Sequence, residues 1–126
     1  MIKNCPTIGI VDDEPSVCKA LSRLITSAGF NAITYGSAQA FLDENPTSEP
    51  DLLVLDVRMP GMNGLDLQNH LAATGRTIPI VFITAHENEL AKAMAMASGA
   101  VAFFQKPLDE KDLLGAIHKA LNLKTT

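Results

Sequence analysis

The acidic run Asp12-Asp13-Glu14, the single Asp56, Thr84 and Lys106 each follow a short apolar run in this sequence. An α/β protein keeps its binding crevice where its strands end, so these residues are the first candidates for chemistry. If Asp12, Asp13 and Asp56 converge, they repel one another. Two unit charges about 5 Å apart cost roughly 3 kcal/mol at an effective dielectric of about 20. Either a cation enters or a carboxyl pKa rises. A hard divalent ion meets that need. Mg²⁺ suits it, because it takes one or two carboxylates and keeps waters and phosphate oxygens. Lys106 adds a fixed positive charge that can pair with Asp56 at rest and with a phosphoryl oxygen later. A carboxylate nucleophile, a cation, a lysine and a hydroxyl are the equipment for making an aspartyl phosphate. Such a reaction depends on positioning and charge neutralisation more than on acid–base work. In that chemistry Asp56 attacks in line, and Thr84 donates a hydrogen bond to the phosphoryl group.

These residues meet only if the elements before them lie side by side. Thr7 to Val11 reads as a strand. From Glu14 the apolar period changes: Val17, Leu21, Leu24, Ile25 and Ala28 share a helical face that Gly29 ends. Asn31 to Tyr35 reads as a second strand, and Ser37 to Leu42 as a short helix capped by Ser37. A polar loop follows over Asp43 to Pro50. The third strand, Asp51 to Asp56, has the continuously apolar centre of a strand covered on both faces. Met59 to Asn63 is a turn, and Asn63 caps a helix over Gly64 to Ala73. A strand over Ile78 to Thr84, a helix over Glu87 to Ala97 closed by Gly99, and a strand over Ala100 to Phe104 come next. Asp109 caps a last helix through Leu121. The alternation predicts an α/β, flavodoxin-like, doubly wound five-stranded parallel sheet of order 2-1-3-4-5 with five helices. Residues 1–126 read as a single domain with its core over about 7–121.

Composition narrows the function. With 126 residues, 47% of them hydrophobic and 19% charged, the chain can bury one core and falls outside the disordered class. A net charge of −4 and the lack of a Lys/Arg run predict no direct nucleic-acid contact by this chain. No apolar stretch reaches the roughly 18 residues of a membrane helix. Met1 to Pro6 lacks the charged and apolar regions of a signal peptide. Cys5 and Cys18 are not spaced as C-x-x-C, which reads as two reduced thiols in a cytoplasmic protein.

Four segments now carry a resemblance. Val11-Asp12-Asp13-Glu14, Leu55 to Gly64, Ile83-Thr84-Ala85 and Lys106-Pro107 look like the signature set of response-regulator receiver domains. The likeness runs from about Thr7 to Leu121. Around Asp56 and over Gly99 to Pro107 it is most similar to receivers of transcription-regulating response regulators with a helix-turn-helix output domain. The resemblance implies a cytoplasmic two-component phosphoprotein, not a turnover enzyme. A sensor histidine kinase would pass a phosphoryl group to Asp56 in a Mg²⁺-dependent transfer. Asp13 and Asp56 would ligate the metal directly and Asp12 mostly through water, and the backbone carbonyl of Arg58 would be a further ligand. Thr84 and Lys106 would bind the phosphoryl group, and the Lys106–Pro107 bond would be cis. Phe103 matches the family's switch aromatic, with Phe104 expected on the opposite face of its strand. Thr84 would move toward the phosphoryl group and Phe103 would turn inward. That would reshape the face made by the fourth helix, fifth strand and fifth helix, leading to homodimerisation or to binding of an output domain or downstream protein. The chain's end at Thr126 fits either a stand-alone receiver or one followed by an output domain.

Two other readings compete. A hydrolase with an Asp nucleophile wants a second acid two positions on, where this chain has Arg58. A phosphorylation-independent interaction module of the same fold differs only in whether Asp56 is ever labelled. Arg58 and His86 flank the site and read equally well as solvated loop residues. His70 and His118 read as surface or interface residues, and Met94 and Met96 as packing or helix-face residues. Taken singly, Asp12, Asp13, Asp56, Thr84 and Lys106 each have an ordinary role as a cap, turn, strand or surface residue. The chemistry rests on their convergence.

Overall fold

The computed structural model describes residues 5–44 and 49–122, so part of the loop expected over Asp43 to Pro50 lies outside the described residues. Strands and helices alternate as β1 (Thr7–Val11), α1 (Pro15–Ser27), β2 (Asn31–Tyr35), α2 (Ala38–Leu42), β3 (Leu52–Asp56), α3 (Gly64–Ala73), β4 (Ile80–Thr84), α4 (Glu89–Ala97), β5 (Ala102–Gln105) and α5 (Glu110–Ala120). The strands form one five-stranded parallel sheet in the order β2-β1-β3-β4-β5. This is the flavodoxin-like order that the alternation predicts.

Every residue of β3 and β4 is buried. Their side chains alternate between two half-cores. Leu53, Leu55, Ile80 and Phe82 pack with Phe41 of α2, Leu67 and Leu71 of α3, and Ala91 and Ala95 of α4. Leu52, Val54, Val81 and Ile83 pack with Leu21 and Ile25 of α1 and with Leu113 and Ile117 of α5. Burying one such side chain fully is worth about 1.5–3 kcal/mol. A one-residue slip would exchange the two faces of a strand, so this packing fixes the register.

The element ends differ from the expectation for local reasons. β3 begins at Leu52 because the Asp51 carboxylate turns to accept the Thr7 N–H at 2.8 Å. β4 begins at Ile80, not Ile78, since Pro79 has no N–H for the ladder. α4 begins at Glu89, not Glu87, because the Asn88 side chain accepts the Ala91 N–H at 3.0 Å and caps it there. Ala100 does not open β5: its N–H closes α4 by donating to the Ala95 carbonyl at 3.0 Å. Asn63 and Asp66 form a reciprocal capping box at the start of α3. His118 is partly buried, its ring edge-on to Phe30 with centroids 5.4 Å apart.

Candidate functional site

The sheet's hydrogen bonds run past the strand ends and hold the candidate residues. The Asp12 N–H donates to the Tyr35 carbonyl at 3.1 Å, Val57 N–H to Ile83 at 3.0 Å, and Lys106 N–H to Thr84 at 2.7 Å. Asp12, Asp56, Thr84 and Lys106 therefore leave four neighbouring strands at one end of the sheet. The Lys106–Pro107 peptide bond is cis.

Asp12, Asp13 and Asp56 each bring one carboxylate oxygen within 4.8 Å of the others. Asp12 and Asp56 are buried, at 1% and 5% exposure, and Asp13 is exposed. Both oxygens of Asp12 are engaged. Oδ1 accepts the Glu14 N–H at 2.9 Å, and Oδ2 accepts from Lys106 Nζ at 2.9 Å. The Lys106 ammonium also lies 3.6 Å from Glu14 Oε1 and 3.9 Å from Asp56 Oδ1. The ion pair with Asp56 expected from the sequence is thus the longest of three.

Burial pushes the Asp56 carboxyl up to about 6, and the negative fields of Asp12 and Asp13 add to this. The Lys106 charge and a hydrogen bond from the Arg58 backbone N–H pull the other way without cancelling it. Burial by itself would lower the Lys106 pKa. Its hydrogen bond to Asp12 and the fields of Asp56, Asp12 and Glu14 outweigh burial and hold it above the ordinary lysine value. A pocket of three carboxylates and one ammonium is short of positive charge. Its donors are all carboxylate oxygens, which suits a hard divalent cation.

Thr84 is buried at 1% exposure, and its hydroxyl is engaged by the backbone of His86. Oγ1 donates to the His86 carbonyl at 3.1 Å and accepts the His86 N–H at 3.3 Å. Thr84 and Phe103 both line a pocket of about 210 Å³ that Glu87, Asn88, Glu89, Lys92 and Gln105 complete.

Residues 8–118 match the family model described as "Response regulator receiver domain". This chain belongs to that family. The receiver is 47% identical over 116 residues to the response regulator protein TmoT of Ectopseudomonas mendocina, covering 92% of this chain and 53% of that protein. It is 44% identical over 123 residues to the response regulator protein TodT of Pseudomonas putida, covering 98% of this chain and 54% of that protein. It therefore spans about half the length of these relatives. A crystal structure titled FIXJ-N superposes with a TM-score of 0.85 at 36% identity, covering 100% of this chain and 99% of the other.

As a receiver, the chain is a phospho-accepting domain of a response regulator and not a turnover enzyme, and the acidic pocket is the family's metal-site type. Family membership also implies a histidine kinase as the phosphoryl source. No helix among the described residues is long and apolar enough to cross a membrane. Phe103 packs on the α2–α3–α4 side, with its ring centroid 6.0 Å from that of Phe82, and Phe104 packs on the α1–α5 side. The two rings take opposite faces as expected. Sequence reasoning missed two contacts. One is the approach of Glu14 to Lys106, which joins distant segments. The other is the buried Gln68, whose Nε2 donates to the Ala95 carbonyl at 3.0 Å and ties α3 to α4. Neither carries a motif or a period.

Proposed function

We propose that Asp56 is the residue phosphorylated, that the cation is Mg²⁺, and that the donor is the phosphohistidine of a sensor histidine kinase. One observation carries this. Asp56 is a buried carboxylate with an ammonium at 3.9 Å and two further acids close by. An Asp56 oxygen attacks the phosphorus; as that O–P bond forms, the donor's P–N bond breaks and the imidazole leaves with the electron pair. Asp13 and Asp56 would hold the metal directly, with the Arg58 carbonyl, and Asp12 through water because both its oxygens are engaged. Bound there, Mg²⁺ supplies positive charge that offsets the carboxylates and the transferring group. Lys106 binds a phosphoryl oxygen as a second positive charge. Thr84 Oγ1 gives up the His86 carbonyl and donates to the phosphoryl group instead.

That rotation empties space beside Phe103, whose ring turns toward Thr84. The face of α4, β5 and α5 is then remade. α4 buries only Ala91 and Ala95 and leaves Leu90, Met94 and Met96 exposed at 71%, 48% and 42%. A helix held by two buried methyl groups and the Gln68 hydrogen bond has little packing to give up when it moves, and its exposed apolar side chains are suited to contact with a second copy, an output domain or a downstream protein. A groove of about 310 Å³ beside Lys106, lined by apolar residues of α1 and by Pro107 and Leu108, with Ser16 and Glu110 at its edge, offers the phosphoryl donor a contact surface next to the site. We place the domain in the cytoplasm, as part of a regulator of transcription.

The test is intact-mass measurement after incubation with Mg²⁺ and acetyl phosphate. One phosphoryl group should add, only with Mg²⁺, and Asp56→Asn should abolish it. A folded protein that stays unlabelled would favour the phosphorylation-independent module.

A further inference from the structure

We infer that Glu14 is a positioning residue that competes with Asp56 for Lys106 and so restrains phosphorylation of this domain. The inference rests on the reading of Asp56 as phosphoacceptor. Lys106 Nζ is surrounded by three acids at 2.9 Å (Asp12), 3.6 Å (Glu14) and 3.9 Å (Asp56). Two of the three lie on the segment after β1, and together they draw the ammonium away from Asp56. Asp12 is fixed there, because its other oxygen holds the Glu14 N–H. That turn also sets where Glu14 stands. Glu14 is the residue just before α1, and its side chain caps nothing: no side-chain hydrogen bond to the helix is made. Its carboxylate is therefore available to the lysine.

The pull matters because Lys106 must leave this position. To bind a phosphoryl oxygen on Asp56 it has to shift toward that residue, against the pull of both Asp12 and Glu14. The Glu14 side chain is 59% exposed, so water and salt weaken the pull without abolishing it. Exposed pairs of this kind shift equilibria by about two- to fivefold. Glu14 is thus suited to tuning a rate, while Asp12 anchors the lysine. A neutral residue here would leave Lys106 nearer Asp56 and the domain easier to phosphorylate.

The experiment measures the phosphorylation rate constant with acetyl phosphate at saturating Mg²⁺ in the parent, Glu14→Gln and Glu14→Asp. Glu14→Gln should react about two- to fivefold faster, with the gain shrinking in molar salt. Glu14→Asp keeps the charge but is one methylene shorter, so the contact opens and the rate should rise in the same direction. In Lys106→Met, Glu14→Gln should change nothing. Without metal, in EDTA, Glu14→Gln should shift the ¹⁵Nζ resonance of Lys106. An unchanged rate in Glu14→Gln overturns the inference. So does a Glu14→Asp protein that matches the parent while Glu14→Gln is fast, because the carboxylate would then be acting on the anionic donor. A parent that takes no phosphoryl group would overturn the reading of Asp56, and this inference with it.

Discussion

A Cβ added to Gly64 would run into the backbone carbonyl oxygen of Asp56 and stand 3.1 Å from a Phe82 ring carbon. Gly64 is the first residue of α3, and its N–H donates to the Val57 carbonyl at 2.9 Å. The start of α3 therefore rests directly on the end of β3, with no side chain between them. Gly64→Ala must push the two apart. Overpacking of this kind costs about 1–3 kcal/mol, and a misplacement of about 1 Å can cost a reaction up to about 100-fold. The variant should melt lower and take a phosphoryl group from acetyl phosphate at least tenfold more slowly, roughly half that penalty on a logarithmic scale. A parent-like rate would mean that Asp56 is held by its other neighbours.

The raised Asp56 pKa makes a second prediction for the metal-free protein. The folded carboxyl titrates near 6 against an ordinary value of 3.8. The folded state therefore holds the Asp56 proton over a range where the unfolded chain has lost it. The stability from this group is fully present below about pH 4 and is lost as pH rises through about 6. The difference corresponds to about 3 kcal/mol at 1.36 kcal/mol per unit. In EDTA, urea unfolding should find Asp56→Asn stabilised over the parent by about 1–3 kcal/mol more at pH 8 than at pH 4. Mg²⁺ should restore much of the parent's loss and do little for the variant. A pH-independent difference would show that the Asp56 charge carries no folding penalty.

The parts of this molecule that repeat were legible in the sequence. β3 and β4 announce themselves as unbroken apolar runs because both faces are covered, and the residues that close β1, β3, β4 and β5 then fall at one end of the sheet. The opposite facing of Phe103 and Phe104 followed from strand alternation. What escaped was set by single hydrogen bonds between distant segments. Asn88 rather than Glu87 sets the start of α4 because its side chain accepts the Ala91 N–H. Lys106 settles on Asp12 rather than Asp56, since Asp12 is pinned in place by the turn to Glu14. For His118 helical periodicity left a surface and an interface place open, and its edge contact with Phe30 puts it on the seam beside α5.

Gln68 gives a third prediction. Among the described residues it is the buried polar side chain that links α3 to α4, through the Ala95 carbonyl at 3.0 Å. That carbonyl also accepts the Ala100 N–H at 3.0 Å, so loss of Gln68 does not orphan it. Gln68→Leu should therefore cost only about 1 kcal/mol of global stability. Its effect should concentrate in α4, which buries little else than Ala91 and Ala95. Amide hydrogen exchange over 89–97 should quicken several-fold while β1 and β3 keep their protection. Uniform loss of protection would mean that Gln68 supports the core as a whole.

Thr84 tests how the phosphoryl group is read out. At rest its hydroxyl is held by both backbone groups of His86, at 3.1 and 3.3 Å. A hydrogen bond of this kind is worth about 0.5–1.5 kcal/mol, and one to a charged group about 1.5–3 kcal/mol. A phosphoryl oxygen should therefore win the Thr84 proton from the His86 carbonyl. Thr84→Val keeps the β-branched shape and removes the hydroxyl, so Asp56 should still be labelled to full stoichiometry. The signal should stop there. Amide resonances of α4 and β5, and the ring signals of Phe103, should move on phosphorylation in the parent and stay near their resting positions in the variant. If they move equally in both, the metal and Lys106 reshape that face without Thr84, and the cavity beside Phe103 is not the route.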